Sequence, residues 1–332
     1  MMCSIQNSRS RHPVVKVMLA GLCCLWALGA SAAERLWLVA DEGHDTLGGL
    51  QWDGSPRDDS RRAGGRSDDH GIEKSFQLQY GRMTYSERLP VGIWHPSRAL
   101  TSRADLDWGG SRIDLSGFWG PTRFRWTFGA QYQKSQQGLE QWWDGDLLYQ
   151  KNQLEFQAVQ LEGGFGWPWD YQRLSGQFMA EVVGRQEDQS RSFAAGQSAF
   201  SVERIRSAWV GFKGDVRLPL TEGIALTAGG NWDYSPWNQM TNTIFLSSPD
   251  ATFQGAEGTR WQAWAGFLAT GRFALGPFHL ALVVGMSQTR LNGETSGRTV
   301  ADSTGNLVTA YWPENQHREY GVGMTLTWSP GR

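Results

Sequence analysis

The feature that most constrains this chain is a period of two in its hydrophobic pattern. Phe124, Trp126, Phe128, Ala130 and Tyr132 alternate with Arg123, Arg125, Thr127, Gln131 and Gln133. The same pattern sets Leu174, Gly176, Phe178, Ala180 and Val182 against Ser175, Gln177 and Glu181. It returns in Ile224, Leu226, Ala228, Trp232 and Tyr234 against Thr227, Asn231 and Asp233. Successive side chains of a strand point to opposite faces, so each run is a strand with one greasy and one wet side. Further alternating runs lie at 261–275, 278–291 and 320–328. Beyond residue 30 no apolar stretch is long enough for a membrane helix, and the mean hydropathy is −0.45. A membrane barrel has this polar average, because lipid-facing and lumen-facing residues alternate along every strand.

The N-terminus has another character. Arg9, Arg11, His12 and Lys16 precede an apolar run from Val17 to Ala30, which ends in Ala30-Ser31-Ala32-Ala33. A run of about 14 apolar residues is too short for a membrane anchor, which needs roughly 20, and the small residues suit a secretory cleavage site. Residues 1–33 therefore read as a signal peptide. Cys3, Cys23 and Cys24, the three cysteines of the chain, all lie in it, so the mature protein carries no thiol and forms no disulfide. Residues 34–72 include a charged Gly/Ser/Arg/Asp tract without periodicity and read as a flexible periplasmic extension. The barrel is expected over 73–329.

A soluble sandwich would show similar alternation, and the connections decide against it. Short links at 119–121, 167–170, 218–223 and 276–277 alternate with long polar ones at 134–152, 187–203, 236–258 and 292–317. Short turns on one rim and long loops on the other are the plan of an outer-membrane barrel. Many of the eighteen tryptophans sit at strand ends, where an amphipathic ring suits the membrane interface. The expected fold is all-β: a ten-stranded antiparallel transmembrane β-barrel with short periplasmic turns and long extracellular loops, in the bacterial outer membrane. Ten strands leave a lumen largely filled by side chains, which disfavours a diffusion pore. With 31 basic and 33 acidic residues, nothing points to nucleic acid. No metal site is expected, since the Asp68-Asp69-His70 cluster lies in a solvated charge run.

Several segments carry a family resemblance. Gly81 to Leu89, then Arg98, Ser102 and Leu106-Asp107-Trp108, resemble the first hairpin of the omptins, ten-stranded outer-membrane proteases. Asn152-Gln153-Leu154 with Gly166-Trp167, Trp209 to Gly214, Tyr234-Ser235-Pro236-Trp237 and Arg290 to Ser296 follow in the family's order, so the likeness spans about 76–328. The resemblance implies cleavage of polypeptides between basic residues, by a water held between an Asp pair in the second loop and an Asp-x-His in the fourth. In the second loop Glu140 stands in place of the first aspartate and Trp142 in place of the second, with Asp144 and Asp146 just behind. Glu140, Asp144 and Asp146 are thus the candidate catalytic residues. The fourth loop, Trp237 to Phe253, has no histidine, and its acid is Asp250. His95 and His317 are the histidines that neighbouring loops could bring to the cleft.

Two further features follow from the resemblance. Glu87 matches the acid that lines the pocket for the substrate's basic side chain. Glu187, Arg191 and Arg204 match a lipopolysaccharide-binding set on the outer wall, which makes that lipid the expected partner, or lipid cofactor, and no other cofactor is expected. The expected function is an omptin-like barrel that contacts lipopolysaccharide, binds a polypeptide or surface ligand through loop aromatics (Trp142, Trp143, Trp237, Tyr311, Trp312), and has lost its peptidase site. The alternative is an endopeptidase with a rearranged site.

Overall fold

The computed structural model describes residues 72–93, 95–119, 124–193, 199–244, 249–273 and 276–328. The expected signal peptide, the extension up to Gly71, and His12, His44 and the Asp68-Asp69-His70 cluster lie outside the described residues. All described residues belong to one compact unit, Ser67–Arg332.

The alternating runs form fourteen described strands: β1 (Glu73–Leu89), β2 (Leu100–Trp119), β3 (Phe124–Ser135), β4 (Gly138–Asp144), β5 (Leu147–Tyr171), β6 (Leu174–Phe193), β7 (Ala199–Thr221), β8 (Ile224–Ile244), β9 (Ala251–Gln254), β10 (Gly258–Phe273), β11 (Gly276–Leu291), β12 (Glu294–Ala301), β13 (Leu307–Trp312) and β14 (Glu314–Trp328). Ten of them close an antiparallel ring in the order β1, β14, β11, β10, β8, β7, β6, β5, β3, β2, with β2 returning to β1. Strand β4 takes the place of β3 higher up, between β2 and β5. β9 adds to β8, and β12–β13 is a separate hairpin. The ten strands expected from the period are thus the wall.

Two expectations need correction. The long segments are not plain loops: 134–152 contains β4, 187–203 holds the end of β6 and the start of β7, 236–258 holds the end of β8 and β9, and 292–317 contains β12 and β13. Trp167 to Asp170 is not a turn: β5 runs on to Tyr171 and the turn is Gln172-Arg173, with Gln172 at φ 54°. Pro168 is tolerated because the described pairing of β5 with β3 ends at Gly166, leaving β6 as the paired neighbour there.

The strands are much longer than a bilayer needs. β1 has 17 residues and β5 has 25, against about 9–11 for a spanning strand. The outward face shows where the membrane ends. On β1 it reads Phe76, Leu78, Tyr80 and then Arg82, Thr84, Ser86, Arg88; on β14, read upward, Leu326, Met324, Val322, Tyr320 and then Arg318, Gln316, Glu314. β5 changes from Trp167, Phe165, Leu161 and Val159 to Gln157 and Glu155. Apolar side chains are thus exposed around the lower half of the ring. Tyr80, Tyr132, Trp232 and Tyr320 lie at the upper edge of this belt, and Trp119, Trp167 and Tyr171 at the lower edge. These are the two aromatic girdles of an outer-membrane barrel. Everything above the upper girdle, including Glu87, stands outside the bilayer.

At the level of the belt the lumen is filled by charge pairs. Arg112 donates to Glu162 (2.7 Å) and Asp114 (2.9 Å), Lys213 lies 3.5 Å from Glu162, and Arg260 joins Asp233 (2.8 Å) to Gln160 (2.9 Å). The Arg112–Glu162, Lys213–Glu162 and Arg260–Gln160 contacts cross the ring between strands that are not neighbours. Gly81 and Gly321 face each other across β1 and β14, with a side-chain-sized gap that Trp108 occupies: a Cβ on Gly321 would lie 3.2 Å from its ring. Such filling is what a ten-stranded barrel permits.

Candidate functional site

Above the girdle the inward positions of the strands pack into two apolar clusters. One comprises Met83, Tyr85, Ala104, Leu106, Trp108, Leu154, Phe156 and Ala158. The other joins Val183, Ile205, Trp209, Met240 and Leu291 of the wall to Ala251, Phe253 and Ala256 near β9 and to Val300, Ala310 and Trp312 of the β12–β13 hairpin. The hairpin is therefore docked on the barrel by its own apolar residues. Trp312, expected as a binding aromatic, is 1% exposed and belongs to this core.

Strict alternation also brings charged residues into the upper lumen. Glu87 follows Met83 and Tyr85 on the inward face of β1. Glu187, Gln189 and Arg191 follow Met179, Glu181 and Val183 on that of β6, and Glu203 precedes Ile205 on β7. Arg191 reaches three carboxylates at once: Nη2 is 2.8 Å from Glu87, Nε 3.0 Å from Glu140 and Nη1 2.9 Å from Glu203. The rings of Tyr85 and Trp142 lie 6.0 and 5.9 Å from its guanidinium carbon. Asn152 donates to Glu140 (3.1 Å), Asn242 donates to Glu203 (3.0 Å), and the Tyr85 hydroxyl donates to Glu87. Glu140 is 0% and Arg191 3% exposed, so water is excluded from the centre of this group.

One guanidinium among three carboxylates leaves negative charge in excess. Burial first, with help from Glu203 and Glu140, pushes the Glu87 carboxyl up to about 8 against the pull of Arg191.

The structure separates the residues singled out from sequence. Glu140 and Glu87 come together, but through Arg191. Asp144 is held by Arg98 (3.1 Å), and Asp146 is exposed in the β4–β5 turn, where Gly145 supplies the positive φ (61°) at the first central position. The outer-wall placement expected for Glu187 and Arg191 is corrected: both face the lumen and are buried, because they share the parity of Met179 and Val183. Arg204 has the opposite parity and does lie on the outer wall, paired with Asp188 (2.8 Å).

Among the described residues, no imidazole lies within ion-pairing distance of Glu140, Asp144 or Asp146. His95 turns back onto Ser97 (3.2 Å). His317 stands edge-on to Tyr85 and Phe156, with Nε2 3.4 Å from Glu187 but poorly aligned for a hydrogen bond. Asp250 accepts from Thr243 at 2.8 Å. Sequence reading missed Glu203 and Asn242, although the alternation through Ile205 and Trp209 places Glu203 inward.

No protein-family model matches the chain, and no curated protein is similar to it by sequence. Among solved structures, the outer membrane protease OmpT from Escherichia coli matches with a TM-score of 0.53 at 10% identity, over 79% of this chain and 97% of that one. The translocator domain of the autotransporter NalP from Neisseria meningitidis matches at 12% identity over 92% and 96% of the two chains, with a TM-score of 0.36. The beta domain of the Bordetella autotransporter BrkA matches at 13% identity over 78% and 99%, with a TM-score of 0.33. At 10% identity the likeness to OmpT is one of fold alone, and together with the belt, the girdles and the closed ring it makes this chain a β-barrel of the bacterial outer membrane with a fold like that of OmpT.

Proposed function

We propose that this barrel is a surface-binding protein on an omptin-like scaffold, without peptidase activity, that contacts lipopolysaccharide through its outer wall. The observation that carries the reading is the state of Glu140. A residue that activates or holds a water must meet it, whereas Glu140 is fully buried and engaged by Arg191 and Asn152. Among the described residues no histidine stands beside it to move a proton, and positioned proton transfer supplies ~10² to 10⁴-fold in rate. Asp250, the acid of the fourth loop, is already engaged as the acceptor of the Thr243 hydroxyl.

Binding is assigned to the loops. The tip of the β4–β5 hairpin exposes Leu147, Leu148 and Tyr149, and Trp237 is exposed at the outer rim. Of the expected loop aromatics, Trp237 remains available, while Trp142 faces Arg191 and Trp312 is core. Lipid contact is assigned to Arg204, with Arg206 beside it on the same face of β7. Refolded protein with lipopolysaccharide added is expected to leave peptides with paired basic residues intact. Cleavage that disappears in Glu140→Ala or Asp144→Ala variants would establish a rebuilt peptidase instead.

A further inference from the structure

A cavity of about 350 Å³ opens at the rim of the barrel, where the top of β1, the link from β11 to β12 and the junction of β13 with β14 meet. Its size falls at the small end of the range for ligand sites, ~300–1,000 Å³. The lining is divided by chemistry: Leu89, Trp312 and Pro313 are buried and apolar, while Arg88, Asn292 and Thr295 are exposed around them. On β1 the division follows from parity, since Leu89 ends the inward series of Tyr85 and Glu87 and Arg88 ends the outward series of Thr84 and Ser86. Gly293 fixes one wall, because its backbone lies so close to the Trp312 carbonyl that a Cβ would run into it.

Two donors at this cavity lack an acceptor among the described residues. The Arg88 guanidinium makes no ion pair, although Glu314 is its cross-strand neighbour, for Glu314 is held by Arg290 at 2.8 Å. The Trp312 Nε1–H is buried and unpaired. One carboxylate between two guanidiniums leaves a positive charge in surplus, so the rim suits an anion. The apolar floor asks for more than an inorganic ion, and a carboxylate on an apolar body satisfies both halves of the lining. We propose that this cavity binds a small carboxylate of that kind, its body resting on Leu89, Trp312 and Pro313 and its oxygens meeting the planar fork of Arg88, with the Trp312 indole as the second donor. The carboxylate belongs either to a free acid or to the C-terminus of a polypeptide. The inference goes beyond the functional reading above, since neither lipid contact nor the state of the peptidase site bears on it.

The test uses the full chain refolded in a non-ionic detergent and titrated by ligand-observed NMR with 4-methylpentanoate, N-acetyl-leucine and the amides of both. The acids are expected to bind in the millimolar range and about tenfold more tightly than their amides, the order by which a charge-assisted hydrogen bond exceeds a neutral one. Arg88→Gln should remove this preference and leave the amides unchanged; Arg88 is exposed, so the variant keeps the fold. Thr295→Trp, which fills the mouth of the cavity, should abolish binding of all the probes. Tighter binding of N-acetyl-leucine than of 4-methylpentanoate would support the site with a polypeptide C-terminus as its occupant, and equal or weaker binding would support it with a free acid. The proposal is overturned if neither acid binds, if the acids bind no better than the amides, or if their preference survives Arg88→Gln or Thr295→Trp.

Discussion

If Arg191 is the counter-ion of a buried group with surplus negative charge, its removal and the removal of one of its partners should differ sharply. Two unit charges about 4 Å apart interact by about 4 kcal/mol at an effective dielectric of 20. Arg191 makes three such contacts, at 2.8, 3.0 and 2.9 Å, and Arg191→Ala leaves three carboxylates crowded together away from water. Breaking a buried pair from one side costs about 3–5 kcal/mol, and uptake of protons by the carboxylates keeps this loss near that range. Glu140→Gln is different. It removes one attractive contact and also the repulsion that Glu140 exerts on Glu87, while an amide can still accept from Asn152. We expect a loss of no more than about 1–2 kcal/mol, the order of a modified hydrogen bond. The double variant Arg191→Ala/Glu140→Gln should be more stable than Arg191→Ala alone, because one of the unpaired charges is gone. Urea unfolding in micelles, followed by tryptophan fluorescence, measures all three. The reasoning fails if Glu140→Gln costs as much as Arg191→Ala, or if the double variant is the least stable of the set.

The remaining predictions concern other parts of the molecule. Because the folded-state pKa of Glu87 is raised to about 8 from an ordinary value of 4.5, the folded protein holds a proton that the unfolded chain releases. The stabilisation is full below about 4.5 and is lost as pH rises towards and through 8, so unfolding midpoints should fall across this window and the fall should flatten in Glu87→Gln. Phe253 is buried and stands edge-on to Trp312 at 6.5 Å. Phe253→Ala should cost about 3–5 kcal/mol locally and release the β12–β13 hairpin to protease on intact cells, while the belt region keeps its heat-modifiable migration. On the outer wall, each basic side chain at an anionic lipid surface contributes about 1 kcal/mol, roughly fivefold. Arg204→Ala should therefore weaken lipopolysaccharide binding by about that factor, and unchanged binding would remove Arg204 from the lipid contact.

The period of two determined most of the fold by itself. Phe124 to Tyr132, Phe178 to Val182 and Leu226 to Trp232 each bury one face and expose the other, and a strand has no other way to satisfy that pattern. The same parity already told which way the charged residues point: Glu187 and Arg191 share the wet face of Gln177 and Glu181, so their place in the lumen was legible. The likeness to a lipid-binding set drew them outward in the expectation, but parity is the stronger argument, because a strand cannot turn one residue over without a bulge. Two things were not legible. The β12–β13 hairpin carries short strands with a register shift, and although Val308, Ala310 and Trp312 keep a period of two, six residues are too few to announce a strand, and it is their packing with Val300 on Trp209, Met240 and Phe253 that orders them. The grouping of Glu87, Glu140, Arg191 and Glu203 depends on closure of the ring, which brings β1, β4, β6 and β7 to one level across the lumen from positions up to 116 residues apart in number. Alternation fixes the side of the wall on which a residue stands; only the closed barrel, through its register and curvature, decides which inward residues meet.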